Sequence, residues 1–311
     1  MTDKYITVLL GSYVDEFYRI DSYPEEGDFT HGKRAGIMAG GCPLNVGCAA
    51  SAFGADVRAL DYLNPEDEAT AVITEALRRY GVDDSHICYG EDCTDGRVVI
   101  LNSGDRRTMI VCDPVRPFYT VDEDIRNLLN NSAYIYSLMH MVERSFADTG
   151  PLLEAKRHGA KMVFDGTSKY DDPHRSRMLT ELADALFINS TDYERLSRSL
   201  GRDAKQALLE KGCEFICVTD GSRGAYCYTQ SGEWFCRSLH LEEVIDSTGA
   251  GDTFAGVFLA SLLHGYDYGT CLKLACAAGA YACTKTGGQG GCCTAGELKA
   301  FAEEHGMETG I

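Results

Sequence analysis

The chain has 311 residues, of which 44% are hydrophobic and 24% charged, a balance that excludes a disordered protein and allows one large domain, or one with a small appendage. Its 47 acidic residues outnumber its 29 Lys and Arg, and the net charge of −18 at pH 7 argues against nucleic acid or an anionic membrane as a partner. No apolar run approaches the ~20 residues of a membrane-spanning helix, and the N-terminus lacks a signal-peptide pattern, so we expect a cytoplasmic protein.

The fourteen cysteines are scattered along the chain and form no C-x-x-C pair. Several of them, such as Cys48, Cys276 and Cys283, fall on apolar faces. We therefore expect reduced, mostly buried thiols that pack as small hydrophobes, rather than a disulfide framework or a structural zinc site.

Short apolar runs alternate with segments of helical period, which favours an α/β fold with a mainly parallel sheet. The predicted strands are Ile6–Leu10, Val57–Tyr62, Tyr134–Leu138, Lys161–Phe164, Leu186–Ile188 and Phe215–Val218. The predicted helices are Leu44–Phe53, Ala69–Tyr80 and Leu152–His158, and three more at about 250–264, 268–283 and 295–304. Gly54, Gly81 and Gly159 each follow a helix where a left-handed C-cap is expected.

Two segments, 14–39 and 97–112, interrupt this alternation with extended runs and turn signals at Pro24–Gly27 and Ser103–Asp105. They predict two hairpins in a small four-stranded antiparallel lid, which covers the main domain or packs against a second copy to form a homodimer. The main domain then comprises residues 1–13, 40–96 and 113–311. A third hairpin is predicted over Ala225–Phe235.

The segment Asp246–Asp252 (DSTGAGD) precedes apolar residues at helical spacing, so a helix begins near Gly251. Gly249, Ala250 and Gly251 carry no bulky side chain, and their N–H groups at the positive end of that helix make a pocket for a phosphate or a developing oxyanion. Asp252 stands beside the pocket. The alternative is that Asp252 only caps the helix.

A second glycine cluster lies near the other end of the chain, at Gly40–Val46 (GGCPLNV). Pro43 suits a first helical turn and Asn45 projects from it, while the glycines permit a ligand to approach the backbone closely. The alternative is a plain strand-to-helix turn with Asn45 exposed.

The sequences GGCPLNVGCAASAFGADV at 40–57 and DSTGAGDTFAGVFLASLLHG at 246–265 resemble the two signature regions of the ribokinase-like (PfkB) carbohydrate kinases. GSYVD at 11–15 resembles that family's opening strand and sugar-binding Asp, NSTD at 189–192 its N-x-x-E motif, and TDGSRG at 219–224 its nucleotide loop. The resemblance spans nearly the whole chain. It implies a three-layer α/β/α fold with a mainly parallel central sheet, and ATP-dependent phosphorylation of a hydroxyl on a small sugar.

The resemblance also implies roles for matching residues. Asp252 is the implied base, and the amides of Gly249, Ala250 and Gly251 hold charge on the transferred phosphoryl group. Acceptor hydroxyls are bound by Asp15, Gly41 and Asn45. The nucleotide is bound by Asn189, Thr219, Gly221 and Arg223. Asp192 organises Mg²⁺ through water, and Asp246 with the Thr248 carbonyl matches a monovalent-cation site, for which K⁺ is the candidate.

Several positions depart from the family pattern or leave two readings open. Asp192 replaces the usual Glu, with Glu194 as a substitute or an ordinary exposed residue. Residues 63–69 (LNPEDEA) lack the glycines of the family's V-G-x-D-x-x-G stretch, and Cys42 and Pro43 replace the lysine and glycine of typical ribokinases, which weakens a ribose assignment.

Other candidates have no assigned role. Arg106 and Arg107 follow the lid turn and either reach an acidic or phosphorylated substrate or face solvent. His140 and Glu143 follow a strand end and are candidates to touch the sugar. The loop Gly287–Gly291 lies near the cation site or the adenine, or is a flexible turn.

Three competing functions are considered. A nucleoside kinase of the same family needs an apolar wall for the base, which Tyr13, Phe17, Phe29 and Tyr170 could supply. A non-catalytic sugar sensor would lack Asp252 or the loop Gly249–Gly251, here called the anion loop, and both are present. A nicotinamide oxidoreductase would need G-x-G-x-x-G after an early strand, which GSYVD does not provide.

Overall fold

The alternating apolar runs form a nine-stranded sheet in the computed structural model, which describes residues 4–104, 106–166 and 173–310. The strand order is β13-β12-β11-β10-β9-β8-β1-β4-β5, parallel except for the antiparallel β11-β12-β13 edge. These strands are β1 Ile6–Leu9, β4 Val57–Leu63, β5 Asp83–Tyr89, β8 Tyr134–Leu138, β9 Lys161–Gly166, β10 Ala185–Asn189, β11 Phe215–Thr219, β12 Ala225–Thr229 and β13 Gly232–Cys236. Strands β2 Tyr13–Ile20, β3 Gly32–Gly40, β6 Gly96–Ser103 and β7 Arg106–Cys112 form a second sheet.

Helices cover both faces of the large sheet. They are α1 Cys42–Ala52, α2 Glu68–Arg79, α3 Glu123–Asn131, α4 Met139–Ser145, α5 Gly150–Arg157, α6 Pro173–Leu182, α7 Ser190–Leu200, α8 Ala204–Glu210, α9 Ala250–Leu263, α10 Tyr268–Cys283 and α11 Ala295–Glu304. In β1, Val8 packs into one buried cluster and Leu9 into the other, because successive side chains of a strand point to opposite faces. The three-layer α/β/α architecture is therefore confirmed.

The six predicted strands and six predicted helices all occur within a few residues of their expected bounds. Gly54, Gly81 and Gly159 have φ of 105°, 77° and 98°, so the three left-handed helix stops are confirmed. The third hairpin is present as β12 and β13. Strand β5 and several short helices between residues 123 and 210 were not expected, because their hydrophobic patterns are short or broken by polar residues.

The second sheet corrects the lid prediction in one respect. Its order is β3-β2-β6-β7, and the β2–β3 and β6–β7 hairpins are antiparallel as expected. The central pair, β2 and β6, is parallel, with Tyr13 opposite Gly96 at the start of both strands. Both hairpins leave the main domain from the same edge, so their first strands run in the same direction and the lid is a mixed sheet.

Charged side chains tie the lid to the main domain. Arg97 on β6 pairs with Glu16 on β2 and with Asp67, the N-cap residue of α2. The Tyr13 hydroxyl donates to Asp113 at 2.9 Å. Asp67 belongs to the 63–69 segment that lacks the family's glycines, so this segment anchors the lid through a side chain.

The fourteen cysteines all carry free thiols, and most of them are buried, as the sequence predicts. Across the described ranges, none of the helices is both long enough and apolar enough to cross a membrane.

Candidate active site

The two glycine clusters predicted from the sequence meet at the carboxyl edge of the parallel strands. The first cluster ends β3 and opens α1, and the second opens α9. Nδ2 of Asn45 donates to Oδ2 of Asp252 over 2.8 Å, which links positions 207 residues apart. Asn45 is buried, so the exposed turn residue considered as an alternative is excluded.

Asp252 lies in the first turn of α9 and is partly buried. Burial raises the pKa of its carboxyl group, while hydrogen bonds from Asn45 and Cys42 act to lower it. Nε2 of Gln289 donates to Oδ1 of Asn45 over 3.3 Å and to the Ala39 carbonyl over 3.0 Å. Gln289 therefore sets the orientation of the Asn45 amide and turns its NH₂ group toward Asp252.

The loop that opens α9 has the expected small residues and a left-handed turn. Gly249 is the N-cap residue with φ 77°, and a Cβ there would come well inside 3.0 Å of the Gly288 carbonyl oxygen. The N–H of Ala250 makes a long turn bond of 3.3 Å to Ser247. In the described part of the chain, no acceptor contacts the N–H of Gly249 or Gly251, so two of the three predicted amides are open to a ligand.

The loop Gly287–Gly291 packs beside Asp246 and against the α9 loop. The Gly287 N–H donates to Oδ2 of Asp246 at 2.9 Å, while Oδ1 of Asp246 accepts from the backbone and hydroxyl of Thr248 at 2.9 and 2.6 Å. Burial acts to raise the pKa of Asp246, but these hydrogen bonds hold it below its usual value. Asp246 is therefore held ionised beside the Thr248 backbone.

A cavity of about 720 Å³ borders this loop. Its lining includes Thr219, Gly221, Ala250 and Gly251, together with Phe254 at its base. Residues 237–241, with Val244 and Ser247, also line it. A cavity of this volume is within the usual range for a small-molecule site.

Arg223 does not line this cavity. Its guanidinium bonds to Asp220 at 2.6 and 2.7 Å and is 78% exposed. Asp220 is also bonded by Ser190 at 2.8 Å. The arginine thus closes a local ion pair at the end of β11.

The NSTD segment forms a closed set of hydrogen bonds at the start of α7. Oδ1 of Asn189 accepts from the Asp192 N–H at 2.8 Å, and its Nδ2 donates to Oδ2 of Asp192 at 2.7 Å. Oδ1 of Asp192 accepts from Arg195 at 3.0 Å. Both oxygens of the buried Asp192 therefore have protein partners, and Glu194 is exposed on the helix.

A second cavity of about 360 Å³ lies under the lid. Gly41, Cys42, Tyr13, His140 and Arg144 are among the residues that line it, with Val98 and Val111 from the lid. Gly41 has φ 104°, a conformation that favours glycine. His140, one of the residues predicted to touch the sugar, is among these lining residues.

Asp15 lies on β2, partly buried, and faces Gly40, where a Cβ would come within 3.1 Å of its carboxylate. Burial raises the pKa of Asp15, and the nearby positive charge of Arg107 partly offsets this. Arg107 also acts on Asp246, so its guanidinium lies toward the site, although the residue is exposed. Arg106 instead covers the Tyr23 ring at 5.2 Å.

Two further candidates lie elsewhere. Glu143 pairs with Arg175 at 2.8 Å and lines a neighbouring cavity of about 430 Å³. Phe29 is 76% exposed on the lid, Phe17 is partly buried, and Tyr170 lies outside the described residues. Among the described members of the predicted nucleoside wall, Tyr13 lines the 360 Å³ cavity, while Phe17 and Phe29 do not.

Sequence reasoning missed a cluster behind Asp252. Cys42 Sγ lies 3.4 Å from the Tyr136 hydroxyl, which donates to Oδ2 of Asp165 over 3.0 Å. Burial, and then the charge of Asp252, raise the pKa of Asp165 to about 7. Asp165 is the next-to-last residue of β9, and Asn189 and Thr219 end the neighbouring strands β10 and β11 at the same edge of the sheet, so its position near that edge could have identified it.

Curated relatives of this chain are sugar kinases. It is 24% identical over 256 residues to the 5-dehydro-2-deoxygluconokinase of Bacillus licheniformis, covering 75% of this chain and 77% of that protein. It is 24% identical over 311 residues to the ribokinase of Haemophilus influenzae, covering 96% and 99%.

Solved structures with the same fold cover nearly the whole chain. The ribokinase of Arabidopsis thaliana, complexed with ribose and ATP, has a TM-score of 0.82 at 19% identity. The nucleoside kinase of Methanocaldococcus jannaschii has a TM-score of 0.80 at 19% identity. Each alignment covers 97% of this chain and 99% of the other protein. An E. coli chain described as a ribokinase II, in complex with ATP and Mg²⁺, has a TM-score of 0.79 at 21% identity and covers 97% and 100%.

A model of one family matches residues 7–294 and so includes both glycine clusters, the N-x-x-E-like segment and the loop after β11. The chain therefore belongs to the pfkB family of carbohydrate kinases, enzymes that phosphorylate a sugar with ATP.

Proposed function

We propose that ATP occupies the 720 Å³ cavity and that a small sugar occupies the 360 Å³ cavity under the lid, with the γ-phosphoryl group transferred between them beside Asp252. The observation that carries this proposal is the position of Asp252. Ala250 and Gly251, on one side of it, line the larger cavity, while its partner Cys42 lines the smaller one. A base at this junction is within reach of a hydroxyl entering from the acceptor side.

The chemistry requires one proton to leave the acceptor hydroxyl and its oxygen to bond to phosphorus. Asp252 takes that proton, and the bond from the γ-phosphorus to the ADP oxygen breaks. The open amides of Gly249 and Gly251 stabilise negative charge on the transferred group, aided by the positive end of α9. A weakly basic carboxylate suffices, because the proton leaves late in a loose phosphoryl-transfer transition state.

ATP fits the larger cavity on three counts. The volume suits a nucleotide, the wall mixes apolar residues with Thr219 and Ser247, and the α9 loop offers unpaired N–H groups. Thr219 and Gly221 bind the nucleotide in this proposal. Arg223 is left out, because its ion pair with Asp220 holds it away from the cavity lining.

Asn189 and Asp192 bind Mg²⁺ through water in this proposal. The donor set suits that mode, because both oxygens of Asp192 already accept from Asn189 and Arg195 and leave no open protein cage. Mg²⁺ commonly keeps several waters and takes its other ligands from phosphates. When bound, the ion neutralises charge on the phosphates.

Asp246 and the Thr248 carbonyl are proposed to hold a monovalent cation such as K⁺. The site fits because Asp246 is kept ionised by three hydrogen bonds and is fixed in place by the Gly287 N–H. A cation there would increase the positive electrostatic potential at the anion loop. Its test is the rate of phosphorylation in K⁺ compared with a large organic cation at equal ionic strength.

Asp15, Gly41 and Asn45 are proposed to bind acceptor hydroxyls, with Arg107 near an acidic substituent. A sugar is favoured over a nucleoside because, among the described members of the expected aromatic wall, Tyr13 lines this cavity while Phe17 and Phe29 do not. The choice between sugar and nucleoside is tested with a panel of pentoses, hexoses, sugar acids and nucleosides. Phosphorylation of each compound is measured as ADP release. Absence of acceptor-dependent ADP release across the panel would contradict the proposal.

We also propose a homodimer through the lid. Met109, Ile110 and Val111 on edge strand β7 are each more than half exposed, and β7 has one unpaired edge. Light scattering after size exclusion should give twice the chain mass, and Ile110→Lys should give the monomer. A monomeric wild type would make the lid an internal flap. The cytoplasmic location and the lack of nucleic-acid or membrane partners stay predictions.

A further inference from the structure

We propose that Gln289 is a positioning residue that determines which end of the Asn45 amide faces Asp252. Through Gln289, the backbone carbonyl of Ala39 fixes the polarity of a hydrogen-bond chain that ends on the proposed base. The inference rests on the proposed function of Asp252. It gives a role in the reaction to the one residue of the loop Gly287–Gly291 (GGQGG) that has a side chain.

The chain begins at the Ala39 carbonyl, one residue before the end of lid strand β3. A backbone carbonyl accepts hydrogen bonds and cannot donate one, so the end of the Gln289 amide that faces it is the NH₂ group. Nε2 of Gln289 lies 3.0 Å from that oxygen. The orientation of the Gln289 amide is therefore set by an atom that cannot become a donor.

The same NH₂ group sets the orientation of Asn45. It has a second proton, which it donates to Oδ1 of Asn45 over 3.3 Å. Because the oxygen of Asn45 is engaged on this side, its own NH₂ group lies on the other side, where Nδ2 donates to Oδ2 of Asp252 over 2.8 Å. An amide has one accepting end and one donating end, so the polarity of the Ala39 carbonyl passes through two side chains to the carboxylate.

Burial and close packing hold this chain in place. Asn45 is 7% exposed and Gln289 is 9% exposed, so a partner lost here is poorly replaced by solvent. Gly288 lies against the Asn45 amide, and a Cβ on this glycine would come within 2.7 Å of Nδ2. The Tyr80 hydroxyl donates to the Gln289 carbonyl over 3.3 Å. The loop therefore supports Asn45 both by packing and by a hydrogen bond.

The polarity matters because a carboxylate acts as a base only when it is ionised. An ionised carboxylate accepts hydrogen bonds and cannot donate one, so the NH₂ end of Asn45 stabilises Asp252 and the carbonyl end would repel it. The bond to Oδ2 also restrains the direction of the carboxylate, and a base must lie within hydrogen-bond reach of the proton that it takes. We therefore expect Gln289 to affect turnover through Asn45.

Two substitutions of similar size separate polarity from packing. Gln289→Met removes the donor and leaves Asn45 without a preferred orientation, so kcat should fall roughly 3- to 10-fold, the scale of one hydrogen bond. Gln289→Glu presents acceptor oxygens and turns the NH₂ group of Asn45 away from Asp252, so kcat should fall roughly 10- to 100-fold, the scale of a hydrogen bond to a charged group. KM for ATP should change by less than about twofold in both variants. Equal kcat values in the two variants, or an equal rise in KM for ATP, would overturn the positioning role.

A matched control and a double-mutant cycle complete the kinetic test. Tyr80→Phe removes a hydrogen bond to the backbone of Gln289 and leaves its amide in place, so kcat should change by less than about twofold. The loss caused by Gln289→Glu should disappear in the Asn45→Ala background, because Asn45 transmits the effect. Gln289→Met completes the same cycle if the buried glutamate prevents folding. A loss that persists in the Asn45→Ala background would show that Gln289 only supports packing.

The orientation of Asn45 can also be measured without turnover, by NMR of protein labelled with ¹⁵N-asparagine. Its side-chain NH₂ signals are those that disappear in Asn45→Ala. Asp252→Ala should shift these signals in the wild-type background and shift them much less in the Gln289→Glu background, where the NH₂ group faces position 289. Equal shifts in the two backgrounds would refute the inference. A chain that phosphorylates no sugar would instead contradict the proposed function and leave the NMR result standing.

Discussion

The proposed phosphoryl end and the proposed acceptor end of the site are held together by different contacts. At the phosphoryl end, backbone packs on backbone: Gly249 contacts Gly288, and Gly287 bonds to Asp246. At the acceptor end, charged and polar side chains connect separate segments, as in the Tyr13–Asp113 and Arg97–Glu16 pairs. The first arrangement is fixed before ligand binds, while the second depends on where the lid lies.

This difference explains why one end suits a constant substrate and the other a variable one. The triphosphate is the same for every kinase that uses ATP, and glycine contacts leave its pocket little freedom. The acceptor varies among relatives, and lid side chains can be exchanged without disturbing the α9 loop. The following experiments test that division, starting with the largest expected effect.

Asp252→Asn should remove the proposed base, which both ends of the site share. The amide keeps the shape and the Asn45 contact but cannot take a proton, so turnover should fall by at least ~100-fold, the usual scale for a positioned general base. ATP and sugar affinities, measured by calorimetry, should stay within a few fold. Equal losses of binding and turnover would mean that Asp252 has only a structural role.

Gly249→Ala tests the rigidity of the phosphoryl end. The new Cβ meets the Gly288 carbonyl, and φ 77° is unfavourable for alanine, so unfolding free energy should fall by about 1–3 kcal/mol or more. The neighbouring Gly251→Ala is the matched control, because its Cβ has open space and its φ is not positive. Thermal unfolding of both variants decides: equal melting temperatures would refute the packed-loop description.

Arg97→Ala tests the acceptor end. It removes the ion pair to Asp67 that ties the lid to α2 and the pair to Glu16 that joins β6 to β2, so KM for the sugar should rise several fold while KM for ATP stays within twofold. Arg106→Ala is the control, since Arg106 lies on the lid over Tyr23. A parallel rise in both KM values would show that the two ends are not independent.

Arg223→Ala should have the smallest effect. The side chain is largely exposed and paired with Asp220, and exposed pairs contribute little. We expect KM for ATP to change by less than twofold in steady-state assays. A tenfold rise would restore the role that sequence resemblance assigned to this residue.

The phosphoryl end was largely predictable from the sequence, because its determinants are local. A glycine loop before an apolar helical run specifies backbone geometry directly, and Gly249, Ala250 and Gly251 lie where expected. The core strands were predictable for the same reason, since buried parallel strands are continuous apolar runs.

The acceptor end was less predictable, because it depends on partners far apart in the chain. Nothing in the local pattern showed that β2 pairs with β6 in parallel, or that Arg195 occupies an oxygen of Asp192. The Cys42–Tyr136–Asp165 contacts join α1, β8 and β9. Such side-chain contacts follow from tertiary packing, which periodicity does not encode.

The contact between Gly249 and Gly288 has a consequence for synthesis of the protein. The anion loop takes its shape against backbone that emerges from the ribosome 39 residues later, so a nascent chain that ends before Gly288 has the glycine motif without its support. The proposed phosphate pocket is thus completed only after Gly288 has been synthesised, and a product truncated before that residue would lack the backbone that supports the loop.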